Sequence, residues 1–546
     1  MDGPDAVRWR RPWGLIALIA VPLAFLGYFF VYPMVTVLAT ALTGESSGGG
    51  NPMLAVMQRP SLLGIAWFTT WQAVASTALT LAIGLPAAYV FGRYDFPGRR
   101  LLMAATVVPF VLPTVVTGSA FVALLGPGGP LGVDLRRTVP AVLLAHVFTN
   151  YAVVVRTVGT AWEQLDRRME EASQTLGAGR LRTMVEVTLP LLTPAIASAA
   201  SIVFLFTFTS FGIILILGGI ELATLEVEIW RQATALLDLR VAAALAVVQL
   251  VGVTIALLVY GRIQRRMATQ LRAEPADRRV RPRGKAWWLV GANLAVAGLL
   301  IGLPIAMLTA RAFRVGGGFG IANFTGLATR DTASGLFVAP SEAIGNSLRF
   351  AVLATVVAVV IGIVVSVVVT AGRRAGAGLD TLVMLPLGAS AVTLGFGFLI
   401  ALDSPVDLRT SIWLIPIAHA LVAIPFVVRS SLPVLRRVQQ RLRDAAATLG
   451  ASPGRVFLEV DGPLMARAAA VGAGFAFAVS LGEFGATSFI ARPDSPTLPV
   501  AIFRLLSRPG EVLEGRAMAL AVVLMALTTL AVIAIERFRP GGGGDF

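Results

Sequence analysis

The sequence predicts an all-α polytopic membrane protein, with about twelve transmembrane helices arranged as two parallel repeats. Three observations carry that expectation. The 546-residue chain is 56% hydrophobic and only 14% charged, against roughly 25% charged in an average soluble domain. Apolar runs long enough to cross a bilayer, about 20 residues each, recur along nearly its whole length. Landmarks also repeat at a fixed offset of 273 positions, as from His146 to His419, the only two histidines. The same offset pairs Arg156 with Arg429, Gly177 with Gly450, Pro190 with Pro463, Phe211-Gly212 with Phe484-Gly485, Thr224-Leu225 with Thr497-Leu498, and Arg231 with Arg504. No gap interrupts the register between His146 and Arg231.

In chain order the spans read approximately as 13–38, 65–91, 101–125, 138–160, 194–218, 241–260, 286–310, 346–371, 380–402, 411–429, 466–490 and 516–535. The first is followed by Ala39-Thr40-Ala41, which resembles a signal cleavage site. Its apolar run exceeds the roughly 7–15 residues of a signal core, so it reads as a retained span.

Charge placement sets the topology. With the N-terminus inside, as Arg8, Arg10 and Arg11 suggest, one side collects Arg93, Arg99, Arg100, the 161–193 loop, the 261–285 segment, Arg373-Arg374 and the 430–465 loop. Arg537 and Arg539 return to that side after the twelfth span. Every strongly basic loop then lies on one face, as positive-inside orientation demands. The expectation is a multi-pass protein of the bacterial cytoplasmic membrane with both termini cytoplasmic. The net charge of +15, from 45 basic and 30 acidic residues, is therefore topological, and the expected partner is the lipid bilayer, with no nucleic acid. The absence of cysteine excludes disulfides, thiolate metal sites and cysteine nucleophiles.

The organisation reads as a first repeat at 1–262, a basic linker at 263–285 marked by Pro275 and Pro282, and a second repeat at 286–546. Each repeat is one leading helix followed by five more. Likeness extends upstream of the gapless block: Gly84 with Gly92-Arg93 resembles Gly362 with Gly372-Arg373, and Pro109 to Gly118 has the spacing of Pro386 to Gly395. An even number of spans per repeat gives both copies the same orientation, so a pseudo-twofold along the membrane normal is expected. Ser46–Gly50 and Gly316–Gly320 read as flexible outer connections, and Gly541–Gly544 as a tail.

The most specific pattern sits in the longest inner loop of each repeat. The first reads Glu171-Ala172-Ser173-Gln174-Thr175-Leu176-Gly177, continuing to Leu189-Pro190; the second reads Asp444-Ala445-Ala446-Ala447-Thr448-Leu449-Gly450, ending at Gly462-Pro463. A helix over about 163–176 should stop at Gly177 in a left-handed cap. A second short helix should run from about 179 to Pro190, whose missing N–H favours a break or kink before the next span. A helix–glycine–helix presented twice suits docking into two copies of a partner; the plainer alternative is an interhelical loop with glycine caps.

This loop resembles the EAA loop in permease subunits of binding-protein-dependent ABC importers, an acid, two small residues, a glycine and a downstream Leu-Pro. The resemblance implies the type I ABC importer permease fold. It also implies that Glu171, Ala172, Gly177 and Pro190 of the first loop, and Asp444, Ala445, Gly450 and Pro463 of the second, couple to two copies of a cytoplasmic ATP-binding subunit. Ser173 after a single Ala in the first loop, and Asp444 for Glu and Gly462 for the Leu before Pro463 in the second, depart from the pattern. Leu144–Asn150, Ser210-Phe211-Gly212, Ala223–Ile229 and Ser480–Ala486 with Thr497-Leu498-Pro499 are similar to the fused permeases of thiamine and ferric-iron importers. The second-half segments also resemble sulfate and molybdate permeases, which carry one copy per chain. An extracytoplasmic solute-binding protein is the further implied partner. No G-x-x-x-x-G-K-[ST] phosphate loop is present, so no cofactor is expected on this chain, the expectation is no enzyme activity of its own, and ATP use belongs to partner subunits.

For the substrate path the candidates are Glu483 and its register partner Ser210. Glu483 is the acid placed within a span interior, an expensive location that by default suggests function. It either meets a cationic solute or packs a helix through hydrogen bonds. His146 and His419 suit interhelical hydrogen bonding; two nitrogens do not complete a metal site, and none is expected. Arg156 and Arg429 snorkel at helix ends. Glu221, Glu226 and Glu228 read as outer-face acids, either touching a binding protein or solvated. The competing classes are an ion-gradient-driven carrier, which needs a relay of several intramembrane acids, and a membrane enzyme, which needs clustered catalytic groups.

Overall fold

The computed structural model describes residues 12–43, 51–130, 132–267, 279–330, 334–371, 373–404, 406–437 and 440–538. Arg8, Arg10, Arg11, Ser46–Gly50, Pro275, Gly372, Arg539 and Gly541–Gly544 lie outside the described residues.

Among the described residues, ten helices are long and apolar enough to cross a membrane: α1 (Leu18–Thr43), α2 (Pro60–Arg93), α5 (Val139–Gln164), α6 (Arg180–Phe208), α7 (Leu239–Gln264), α8 (Ala286–Phe313), α9 (Glu342–Thr370), α12 (Leu414–Arg436), α13 (Gly454–Gly482) and α14 (Glu511–Ile535). The runs read as straight spans at 101–125 and 380–402 are instead bent pairs. Here α3 (Arg99–Val111) and α4 (Thr114–Leu125) meet at 100°, and α10 (Gly378–Gly388) and α11 (Ala391–Ala401) at 98°. The first bend sits at Leu112-Pro113: Leu112 is extended at φ −61°, ψ 134°, as a residue before proline prefers. At the second, Ser390 turns extended and its side chain accepts the Thr393 N–H at 3.0 Å, a serine N-cap starting a new helix.

The first bent pair still makes one crossing. A Cβ on Gly84 would lie 2.8 Å from Val154 Cβ, and one on Gly92 would lie 2.8 Å from Trp162 Cβ. Later residues of α2 thus meet later residues of α5, so the two helices run parallel. The segment between them must return across the membrane, and α3 with α4 does so. The second repeat carries the equivalent close approach, Gly362 against Val427 at 2.7 Å. Glycine here lets two helix backbones approach closely.

The chain divides into two compact units that do not follow the order of the repeats. One contains Met57–Glu228 with Val248–Phe319; the other contains Met1–Val56, Ile229–Val247 and Gly320–Phe546. Each therefore takes its leading helix from the other repeat. In the first unit Val290 of α8 is buried among Ala87, Val90, Phe91 and Tyr151. In the second, Leu26 and Phe30 of α1 join a core with Phe350, Ala354, Phe398 and Leu421.

Proline shapes four of these helices in the same way. Wide π-turns occupy Gly27–Val31, Met184–Thr188, Gly298–Gly302 and Phe457–Asp461, each ending two residues before Pro33, Pro190, Pro304 or Pro463. A proline inside a helix has no N–H for the carbonyl four residues back, and its ring crowds that carbonyl. Widening the preceding turn removes the conflict: Tyr32 N–H bonds Gly27 O, and Leu189 N–H bonds Met184 O. The break expected at Pro190 is accordingly absent. Arg180–Phe208 is one helix, with the irregularity absorbed in its π-turn.

Candidate functional site: the paired loop helices and the histidine clusters

Asp166 starts the first loop helix, Arg167–Thr175, its carboxylate accepting the Arg168 N–H at 3.0 Å. Gly177 ends it at φ +89°, with Leu176 N–H bonded to Ala172 O at 3.0 Å and Ala178 N–H to Ser173 O at 3.1 Å. In the second repeat the helix is Gln440–Thr448, and Gly450 ends it at φ +83°. There Leu449 N–H bonds Ala445 O and Ala451 N–H bonds Ala446 O, both at 3.1 Å. The caps match bond for bond, and the positive φ is what demands glycine. The structure thus places Glu171, Ala172, Asp444 and Ala445 on the exposed faces of these helices, and Pro190 and Pro463 just beyond the π-turns that follow. Beside each glycine stands an apolar side chain in water, Leu176 at 89% exposure and Leu449 at 88%.

What anchors the loops was missed in the sequence. Glu170, one residue before the highlighted acid, is buried; it pairs with Arg93 at 2.5 Å and accepts from Thr188 Oγ1 at 3.0 Å. The same register positions in the second repeat are Arg443 and Asp461, which pair at 3.0 Å. The base of each loop is held by charge, with the sign at the helix position reversed between repeats. The register that located the glycines aligns 170 with 443 and 188 with 461, and the opposite charges of Arg443 and Asp461 would have marked the second anchor.

The two histidines hold their units together from within. His146 Nδ1 lies 2.9 Å from Ser76 Oγ on α2, and its Nε2 lies 2.9 Å from Ser210 Oγ. His419 Nδ1 meets Ser480 Oγ of α13 at 2.7 Å, and its Nε2 meets Thr487 Oγ1 at 2.8 Å and Glu483 Oε2 at 3.2 Å. In each ring both nitrogens are occupied by groups of the same unit. Glu483 caps the end of α13 and accepts the N–H groups of Ala486 at 2.7 Å and Thr487 at 3.0 Å, together with the Thr487 hydroxyl. Thus the register partners Ser210 and Glu483 both serve the histidine Nε2, one as a hydroxyl and one as a carboxylate.

A second pair of loops repeats as well. Asp134 takes the Arg136 backbone N–H at 3.0 Å and its guanidinium at 2.9 and 2.8 Å. Asp407 does the same with Arg409 at 3.0, 2.9 and 3.0 Å. The guanidinium beside each acid holds its carboxyl below the usual range. The three supposed outer-face acids separate. Glu221 is exposed and pairs with Arg137 at 3.2 Å. Glu226 and Glu228 are buried, and Glu226 accepts from Gln249 Nε2 at 2.7 Å. A surface role for those two is corrected: the first turns of the helix Leu225–Thr234 are buried, and Leu225 N–H bonds Thr69 Oγ1 at 2.9 Å.

Comparison with known proteins agrees with this duplicated architecture. The family described as "Binding-protein-dependent transport system inner membrane component" matches residues 81–269 and again 358–541. The thiamine transport system permease protein ThiP of Brucella abortus (strain 2308) is 26% identical over 513 residues, covering 91% of each chain. The probable ABC transporter permease protein y4fN of Sinorhizobium fredii is 24% identical over 566 residues, covering 98% of each. The sulfate transport system permease protein CysT of Salmonella typhimurium is 33% identical over 171 residues, 30% of this chain and 62% of that one. With two copies of the family unit covering most of its length, the chain belongs to the inner-membrane components of binding-protein-dependent transport systems, as a fused two-repeat ABC importer permease.

Proposed function

We propose that this chain is the complete translocation pathway of a thiamine-type ABC importer, taking a small cationic solute from an extracytoplasmic binding protein. Two copies of an ATPase subunit would drive it, one engaged by each loop helix, Arg167–Thr175 and Gln440–Thr448. The observation that carries the reading is the paired loops. Two helices at matching register end in the same left-handed glycine cap and hold an exposed leucine beside it, Leu176 and Leu449. Apolar side chains that exposed on a polar loop suit insertion into a partner groove. In this reading Glu171, Ala172, Asp444 and Ala445 face the ATPases, and Gly177, Gly450, Pro190 and Pro463 shape the loops. The loops then lie in the cytoplasm, with both termini on that side.

The solute assignment rests on collinearity with the thiamine permease over 91% of both chains. The fusion of two repeats is shared by ferric-iron permeases, which makes iron the second reading. Glu483 and Ser210 act beside the path as scaffold, since their polar atoms are engaged with His419, His146 and backbone. The test is reconstitution with the ATPase and binding-protein subunits and measurement of labelled thiamine uptake. ATP-dependent uptake supports the reading, and uptake driven by an ion gradient without ATP contradicts it. Gly177→Val and Gly450→Val should each impair uptake, because a left-handed conformation costs a side-chain-bearing residue roughly 1–2 kcal/mol and distorts the docking helix.

A further inference from the structure

The stretch joining the two repeats is docked where it is described. Val280 forms a parallel bridge with Tyr94: its N–H donates to Arg93 O at 3.1 Å, and its carbonyl accepts the Asp95 N–H at 3.0 Å. Pro282 is buried two residues on. One residue earlier, Arg279 reaches Glu163 Oε1 at 3.3 Å, while Arg99 holds the other oxygen of that carboxylate at 3.5 Å. Glu163 stands in the last turn of α5, three residues before the Asp166 cap of the first loop helix. Arg93, whose carbonyl the linker grips, sends its guanidinium to Glu170 on that helix. All of these residues belong to one compact unit.

We infer that linker residues 279–282 are a positioning brace for the first loop helix. Two backbone hydrogen bonds fix the strand against the end of α2. Arg279 and Arg99 together clamp Glu163, so the ends of α2 and α5 are held as one platform. The buried Arg93–Glu170 pair then hangs the loop helix from that platform. Shared charge clusters of this kind resist small displacements better than isolated surface pairs, because moving one group breaks contacts to several. The second loop helix has a different attachment, with Arg443 held by Asp461 at 3.0 Å and by Leu435 O at 3.4 Å. Force from the two ATPase sites therefore enters the permease through unequal supports. The inference rests on the reading of the loops as ATPase-docking elements.

The chain has no cysteine, which gives a clean background for a test on the assembled transporter in proteoliposomes. Bridged residues of adjacent strands lie about 4.8 Å apart, inside the roughly 4.4–6.8 Å Cα range of a disulfide. Tyr94→Cys with Val280→Cys should cross-link on mild oxidation, read as linked peptides by mass spectrometry, and the locked transporter should still import solute. Absence of the cross-link, or loss of transport on locking, overturns the brace. Arg279→Ala should lower solute moved per ATP hydrolysed by roughly fivefold while ATPase co-purification is retained, and Arg279→Lys should restore most of it. A wild-type ratio in Arg279→Ala also overturns the brace. Failure of the unmodified chain to co-purify with the ATPase would instead defeat the docking reading itself.

Discussion

Glu483 Oε2 lies 3.2 Å from His419 Nε2 and also accepts the Thr487 N–H at 3.0 Å. One carboxylate thus ties α12 to the turn that follows α13. Glu483→Ala leaves buried N–H groups of Ala486 and Thr487 without their acceptor, each worth about 1–3 kcal/mol. The expected result is a lower melting temperature of the purified permease with little change in the KM of uptake; Glu483→Gln, which keeps an acceptor oxygen, should lose less. A large rise in KM at unchanged melting temperature would place the carboxylate in contact with the solute.

Leu176 and Leu449 are 89% and 88% exposed, so replacing either with Glu removes no internal packing. Stability of the isolated permease should stay within about 0.5 kcal/mol of the parent. Affinity for the ATPase subunit should fall at least about tenfold if each leucine is a buried anchor of the complex. Co-purification and thermal denaturation on the same samples separate the two effects.

Gly84 and Gly362 face Val154 and Val427 at 2.8 and 2.7 Å from where a Cβ would stand. Gly84→Ala should cost about 1–3 kcal/mol by overpacking, and Val154→Ala in the same chain should recover part of that loss. The recovery, measured as a double-mutant cycle in melting experiments, tests the close approach of α2 and α5.

Asp134 bonds Arg136, which lowers its carboxyl pKa in the folded protein. A depressed acid contributes stability above its unfolded value, and the contribution is lost as pH falls through the lower folded value. Asp134→Asn should therefore lower stability slightly near neutrality, the difference from the parent vanishing as pH falls below about 4. The effect is small because the pair is half exposed. Melting curves from pH 3 to pH 7 on both proteins give the comparison (roughly the range over which carboxyl groups titrate).

Much of this architecture is legible from composition and register. The 273-position offset correctly pairs the glycine caps, the histidines and two of the π-turn prolines, Pro190 and Pro463. The bend at Leu112-Pro113 was also written in the sequence, in the preference of a residue before proline for extended backbone; its counterpart at Ser390 carries only a serine cap. Two features follow from tertiary packing instead. A leading helix such as α8 is apolar on most faces, so its own sequence does not say which repeat it packs on. Glu226 and Glu228 look solvated in a short polar segment, and only the folding of Leu225–Thr234 against Thr69 and Gln249 buries them. The Arg93–Glu170 anchor joins residues 77 positions apart, with no local pattern to announce it.

Whether one chain forms a whole ATP-driven pathway is decided by uptake in proteoliposomes containing this chain, its ATPase and its binding protein. Solute accumulation should need ATP and should fall when either Leu176→Glu or Leu449→Glu is introduced. Accumulation that proceeds without ATP, or that is unchanged by both substitutions, would contradict such a pathway.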